Sequence, residues 1–333
     1  MNKAITFAVI ILVVLGAILY WAMLPSPEPS FEEIEKVTIA TYLGEFSALV
    51  FIAENQGYFT DNGLDVTITE FETGLGPVQA VLAGDADFAT ASEFVLVSNS
   101  FNNEDLKTVS LINTASAIEL IARKDRGINN PADLRGKKIA IPRKTAAEFF
   151  LGNFLIFNDM SIRDVEVIDM GPSDIIEAMS DGTIDATMIW QPNVYQITNR
   201  LGDSAITLPA TTGQEFLFLM IGDGKKIDTN PLIVRRLLNA LLEAEAFISN
   251  NPVETQNIIS EKTNLEIGYL KSVWQGNDFA LSMPQRLLVA MEDEARWVIK
   301  NDLVEEKEIP NYLDFLYIDA LDSVKYEAVT IIR

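Results

Sequence analysis

The chain has 333 residues, with 48 acidic and 25 basic side chains, no histidine and no cysteine. The two zeros exclude Ser-His-Asp and Cys-His nucleophiles, imidazole general bases, thiolate chemistry, disulfides and Cys/His zinc sites, so any metal would need oxygen ligands. The formal charge of −23 argues against nucleic acid as a partner, because phosphate binding works through a basic surface that releases counterions.

After Met1, Asn2 and Lys3 comes an uncharged run from Ala4 to Leu24. It is long enough to cross a hydrocarbon core of about 30 Å as a helix. A secretory signal has a shorter apolar stretch, roughly 7 to 15 residues, and a small-residue cleavage site. Length therefore favours an uncleaved membrane anchor at residues 1–24 over a cleaved signal. Tyr20 and Trp21 suit an interfacial aromatic belt, and Lys3 keeps the N-terminus cytoplasmic. Pro25-Ser-Pro-Glu-Pro-Ser30 opens a stiff linker, residues 25–36. The remainder is a body on the extracytoplasmic face of the cell membrane, or secreted if the signal is cleaved. Taking Lys3 away with the first 24 residues leaves 48 acids against 24 bases, so the acidity belongs to that body.

The body contains an internal repeat. Val37-Thr-Ile-Ala-Thr41 is matched by Lys138-Ile-Ala-Ile-Pro142, Leu64-Asp-Val-Thr-Ile68 by Arg163-Asp-Val-Glu-Val167, and Gly84-Asp-Ala-Asp87 by Gly182-Thr-Ile-Asp185, at offsets of 98 to 100 residues. Between the landmarks, Phe46, Leu49, Val50, Ile52 and Ala53 fall on one helical face, as do Ala147, Phe150, Leu151, Phe154 and Leu155. Shorter helices over Pro77 to Leu82 and Ile175 to Met179 follow Thr73-Gly-Leu-Gly76 and Gly171-Pro-Ser-Asp174. Each unit reads strand, helix, strand, helix, strand, which predicts an α/β fold with largely parallel sheets. Further on, Asp228-Thr-Asn-Pro231 opens a helix running to Asn250, and Ser282-Met-Pro284 opens another. Asp87 and Asp185 recur in both units, which suits structural turn or capping work more than ligand contact.

Several pieces carry a family resemblance: Glu54-Asn-Gln-Gly57-Tyr-Phe59, Gly63-Leu-Asp-Val66, Gly74, Ala80-Val-Leu-Ala-Gly84-Asp-Ala-Asp87, Asp133-Leu-Arg-Gly136, Asp185-Ala-Thr-Met-Ile-Trp190-Gln-Pro192 and the tail Trp297 to Val304. As an ordered set they resemble the solute-binding proteins of ABC importers, in the nitrate, sulfonate and taurine branch to which binders of thiamine-precursor pyrimidines are also similar. The resemblance implies a two-lobed, type II periplasmic-binding-protein-like fold with a ligand cleft between the lobes. Lobe 1 would take residues 37–121 and 222–333, and lobe 2 residues 122–221, with crossings near Leu120 to Asp125 and Phe216 to Asp223. It also implies a binding protein that is not an enzyme, needs no cofactor, and closes on a small solute before delivering it to a separate ABC permease and ATPase. The alternative within the fold is capture of a thiamine-precursor pyrimidine or another heterocycle; an enzyme on the same fold is a further alternative, and the histidine-dependent pyrimidine synthases are ruled out by composition.

Ligands of open α/β sheets sit beyond the carboxyl ends of the strands, beside helix N-termini. In the first unit that singles out Thr41, Tyr42, Gly44 and Ser47 after the first strand, Thr73 and Gly74 at a helix entry, and Thr90 and Ser92 at the third strand end. In the second unit Arg143, Lys144 and Thr145 open a helix and form a natural anion seat, while Trp190 and Gln191 offer a flat wall and an amide. Glu45, Glu72, Glu93 and Asp174 fall in the same loops. A simple oxyanion would prefer fewer carboxylates, whereas a zwitterion can use both signs. Taurine, sulfonate or nitrate-like solutes are the expectation.

Overall fold

The computed structural model describes residues 33–102, 105–210 and 215–332. The run read as an anchor or signal, residues 1–24, lies outside the described residues; among those described, no helix is long and apolar enough to cross a membrane. Residues Glu35–Arg333 form a compact unit.

In chain order its strands are β1 (Glu35–Tyr42), β2 (Leu64–Phe71), β3 (Phe88–Ser92), β4 (Leu106–Ala115), β5 (Ile118–Arg123), β6 (Lys138–Ile141), β7 (Glu166–Asp169), β8 (Ala186–Trp190), β9 (Ala205–Pro209), β10 (Phe216–Asp223) and β11 (Asn277–Asp278). They form two sheets, one ordered β11-β4-β10-β3-β1-β2 and the other β7-β6-β8-β5-β9. The repeat seen in the sequence is a repeat of pairing. β1 runs parallel between β2 and β3, with Ile39 opposite Phe88, and β6 runs parallel between β7 and β8, with Ile139 opposite Ala186. These short central strands are covered on both faces, so Ile39, Ala40, Ile139 and Ala140 are fully buried and read as continuous apolar runs.

Asp87 and Asp185 do one job twice. Thr38 N–H donates to Asp87 Oδ2 at 2.7 Å, and Lys138 N–H donates to Asp185 Oδ2 at 2.9 Å. Each aspartate's own N–H returns a bond to the same partner's carbonyl, at 2.9 Å in both units. The helices before them, Leu75–Ala83 and Pro172–Asp181, both stop at a glycine with φ +81°, Gly84 and Gly182, a left-handed conformation that a side chain would strain.

The other half of each sheet departs from the parallel expectation. β10 is antiparallel to β3 and β4, and β5 is antiparallel to β8 and β9. These are the strands that carry the chain between sheets. The first crossing is Ser116–Ala117 and the second lies between Pro209 and Phe216. Both differ from the sequence expectation, because Leu120–Ala122 and Phe216–Ile221 are buried strand residues, not links. The chain leaves one sheet after Ala115 and after Pro209 and enters the other at Ile118 and at Phe216. The C-terminal helices complete the first lobe: Pro231–Asn250 starts with proline at its first turn and packs on Ala48–Asn55, and Gln285–Lys300 packs on Glu93–Ser100.

Replacing Asp185 by Ala leaves the Lys138 amide without its acceptor and should lower stability in urea unfolding by about 1–3 kcal/mol. Asp87→Ala should cost slightly more, since Lys226 Nζ also donates to this aspartate, at 2.7 Å.

Candidate functional site

The strand ends of both sheets converge on an interlobe cleft with two chambers. The outer one is about 560 Å³, the size of a small-molecule site. Its polar lining is Thr73, Gln79, Ser98, Asn102, Arg143, Lys144, Thr145, Glu148 and Asp169, and its apolar lining includes Leu75, Phe94, Met170, Val298, Leu303 and Val304. The inner chamber, of about 20 Å³, has room for about one water. Tyr42, Phe46, Gly74, Ser92, Trp190, Phe216 and Phe218 enclose it, and Thr145 lines both.

Tyr42 and Trp190 meet across the lobes beside the first crossing. Trp190 Nε1–H donates to Tyr42 Oη at 3.2 Å, Tyr42 Oη–H donates to the Gln191 carbonyl at 3.4 Å, and the two rings stand edge to face at 6.5 Å. Both side chains are almost fully buried. Trp190, expected as an open flat wall, is therefore packed, and its indole N–H already has an acceptor.

Several other side chains expected to face a ligand are turned inward. The hydroxyls of Thr41, Ser47 and Thr90 bond to one another, at 2.9 Å for Thr41 to Thr90 and 3.2 Å for Ser47 to Thr90, and Thr90 Oγ1 also accepts the Tyr42 N–H at 2.9 Å. All three are fully buried and line neither chamber. They fix the turn that presents Tyr42. Gly44 is present because the Tyr42 ring lies over it: a β-carbon there would stand 2.6 Å from Cζ. Gly74 lets its helix entry approach β3, where a β-carbon would meet Ala91 Cα at 3.0 Å. Gln191 Oε1 accepts the Tyr195 N–H at 3.2 Å and so serves the next helix, Asn193–Leu201.

The predicted anion seat is already answered by protein groups. At the start of helix Ala146–Phe157, Glu148 Oε2 accepts the Lys144 N–H at 2.9 Å, and Glu148 Oε1 lies 3.8 Å from Arg143 Nε. Arg143 N–H donates to Asp169 Oδ1 at 3.1 Å, and Thr145 Oγ1–H donates to the Pro142 carbonyl at 2.6 Å. Two cations and two carboxylates thus share one wall. The sequence carried a signal for Glu148: Thr145-Ala-Ala-Glu148 has the spacing of a capping box. No comparable local signal marks Val298, Leu303 and Val304, which reach the cleft from the far C-terminal helix and the turn after it.

Comparison with known proteins gives the family and the fold. The NMT1/THI5 like family profile matches residues 46–255. A binding protein of Brucella abortus is 30% identical over 237 residues, covering 68% of this chain and 72% of the relative. Among solved structures, the alkanesulfonate-binding protein of Xanthomonas axonopodis pv. citri bound to MOPS superimposes with a TM-score of 0.76 at 16% identity, covering 86% of this chain and 99% of that one. A desulfurization enzyme has the same fold, at a TM-score of 0.64 and 14% identity, covering 88% of this chain and 99% of that one.

Behind the cleft lie buried carboxyls. Burial raises Glu45 from the ordinary 4.5 to about 7, although it accepts a hydrogen bond from Tyr269 Oη–H. Burial likewise raises Glu93 to about 8, against the opposing effect of backbone N–H bonds that include the Leu217 N–H at 3.3 Å. Glu294, on helix Gln285–Lys300, is raised well above its usual range by burial and then by the Glu93 charge. These groups hold protons more tightly folded than unfolded. Their contribution is full below about pH 4.5 and is lost as pH rises through 7 and 8. The thermal midpoint should therefore be higher at pH 5 than at pH 8.5. Glu93→Gln, which keeps the shape without an ionisable proton, should shrink that difference, as measured by circular dichroism melts at both pH values.

Proposed function

Because the chain belongs to the NMT1/THI5-like family, we propose that its two-lobed body is the substrate-binding component of an ABC importer, closing on a small organic solute and delivering it to a separate permease and ATPase. The body works on the extracytoplasmic side, and the apolar run from Ala4 to Leu24 is the proposed tether. The observation that carries the ligand class is the charge balance of the outer chamber. Arg143 and Lys144 face Glu148 and Asp169 on one wall, opposite an apolar surface of Leu75, Phe94, Val298 and Val304. A bare oxyanion such as nitrate meets as many carboxylates as cations there and leaves most of about 560 Å³ unfilled. A solute with an anionic group, an amine and a short apolar body uses all three features. MOPS, the molecule bound to the Xanthomonas protein, is an aminosulfonate with both signs.

Thr73, Arg143, Lys144, Glu148 and Asp169 are the proposed ligand contacts. Tyr42 and Trp190 form the floor of the cleft. The chamber between them, about 20 Å³, holds no heterocycle, so a pyrimidine would sit in the outer chamber against the charged wall and away from the Tyr42 and Trp190 rings, which disfavours that reading. The carboxyls whose proton affinity burial raises, Glu45, Glu93, Glu119 and Glu294, line neither chamber, so the carboxylates that face the solute, Glu148 and Asp169, are those paired with the wall's cations and N–H groups.

Thermal shift against aminosulfonates, plain alkylsulfonates, nitrate and pyrimidines should show the aminosulfonates raising stability most, by about 2.7 kcal/mol at a hundred times the dissociation constant. Arg143→Ala should weaken that binding at least tenfold with little change in the unliganded midpoint. Glu148→Gln should shift preference toward the plain sulfonates, because it removes one negative charge from the wall. Stabilisation by nitrate or a pyrimidine alone would overturn the charge-balance argument, and release of sulfite from a stabilising sulfonate would overturn the transport reading.

A further inference from the structure

The two lobes also touch beside the outer chamber, through Gly152, Phe149 and Trp297, none of which lines it. Helix Gln285–Lys300 belongs to the first lobe, which it joins through Glu93–Ser100, and Met283 beside it bridges to Val329. Its Trp297 crosses to helix Ala146–Phe157 of the second lobe, where the indole lies directly on Gly152. A β-carbon at Gly152 would stand 2.7 Å from Trp297 Cε2 and 2.8 Å from Nε1, closer than real atoms approach. Around this seat three rings close a triangle across the lobes: Phe94 to Phe149 at 5.7 Å, Phe149 to Trp297 at 5.5 Å and Phe94 to Trp297 at 5.9 Å. Phe94 and Trp297 come from one lobe and Phe149 from the other.

Gly152 sits in a helix interior, where glycine disfavours the helix relative to alanine. Its backbone angles do not require glycine, since it is not among the residues with positive φ. The requirement comes from the indole. The Trp297 Nε1–H is buried and has no hydrogen-bond partner. A ring held by shape, with an N–H that would gain water on leaving, makes a contact that can close and reopen.

We propose that Gly152 and Trp297 form a reversible latch that sets how far the lobes close, making Trp297 a positioning residue that acts on the cleft without lining it. The proposal rests on the reading that the body works by lobe closure, but its test needs no solute. Because the chain has no cysteine, Arg163→Cys and Glu254→Cys, exposed positions on opposite lobes, give one clean pair of spin labels. The full chain in detergent, measured by double electron–electron resonance, should show a short interlobe distance in the labelled parent. Adding Gly152→Ala should move the distribution to longer distance, because the methyl displaces the indole, while the melting temperature stays the same or rises. Adding Trp297→Phe to that variant should bring the short distance back, since the smaller ring clears the methyl. A parent-like distance in folded Gly152→Ala, or a lengthening that Trp297→Phe fails to reverse, overturns the latch. If Gly152→Ala does not fold, Trp297→Ala alone should lengthen the distance, and an unchanged distance there overturns it equally. Loss of solute binding with these distance changes intact would overturn only the transport reading.

Discussion

The whole arrangement depends on how the chain changes sheets. β4 and β10 pair with each other in the first sheet, and β5 and β9 pair with each other in the second. The two connections, Ser116–Ala117 and the segment between Pro209 and Phe216, therefore leave one sheet side by side and enter the other side by side. Strand ends held side by side in both sheets, Ala115 opposite Phe216 and Glu119 opposite Pro209, favour bending between the lobes over sliding, which is the geometry of a hinge. Tyr42 and Trp190 meet beside it because Trp190 is opposite Ile118, the first residue after the crossing. The aromatic floor is a consequence of that register, and so is the filled inner chamber.

Distance from the hinge then sorts the contacts by chemistry. Near it, aromatic rings pack tightly and polar groups such as the Thr41, Ser47 and Thr90 hydroxyls are answered internally. Farther out, the wall around Arg143 is roughly neutral and open to water. This matters in a body that carries 48 acids against 24 bases. An uncompensated cation pair would be needed to attract an oxyanion against that field, and Glu148 and Asp169 reduce it locally. Selectivity is then left to paired charges and shape, since net potential contributes little.

How much of this was legible in the sequence follows from the range of each interaction. The aspartates at 87 and 185 act on residues of their own unit, so recurrence at a fixed offset exposed both the repeat and their structural role. The helix opened by Pro231 and ended at Asn250 was readable because its cap and its apolar stripe are local. The crossings lie a few residues away from where the sequence pattern points, because buried apolar strands look alike whichever sheet they join. Thr41 and Thr90 were expected at the ligand because position at a strand end does not say where a hydroxyl points; their mutual bond spans 49 residues. Gly152 carries no local signal of its role, since the reason for it lies 145 positions away on Trp297.

The buried carboxyls complete the argument about closure. Glu93 opens the helix that carries Phe94, and Glu294 lies one turn before Trp297 on the helix packed against it. Two ionised carboxylates buried together would repel and force these helices apart, and with them the two rings that the first lobe presents to Phe149. Their raised proton affinity removes that repulsion at neutral pH, at the cost of a fold that weakens in alkali. On one side Glu93 accepts the Leu217 N–H of β10, and on the other the ring contact meets the second lobe. The same two helices thus connect the protonation state of the first lobe's core to the contact that bounds the cleft, since Phe94 belongs both to that contact and to the lining of the outer chamber.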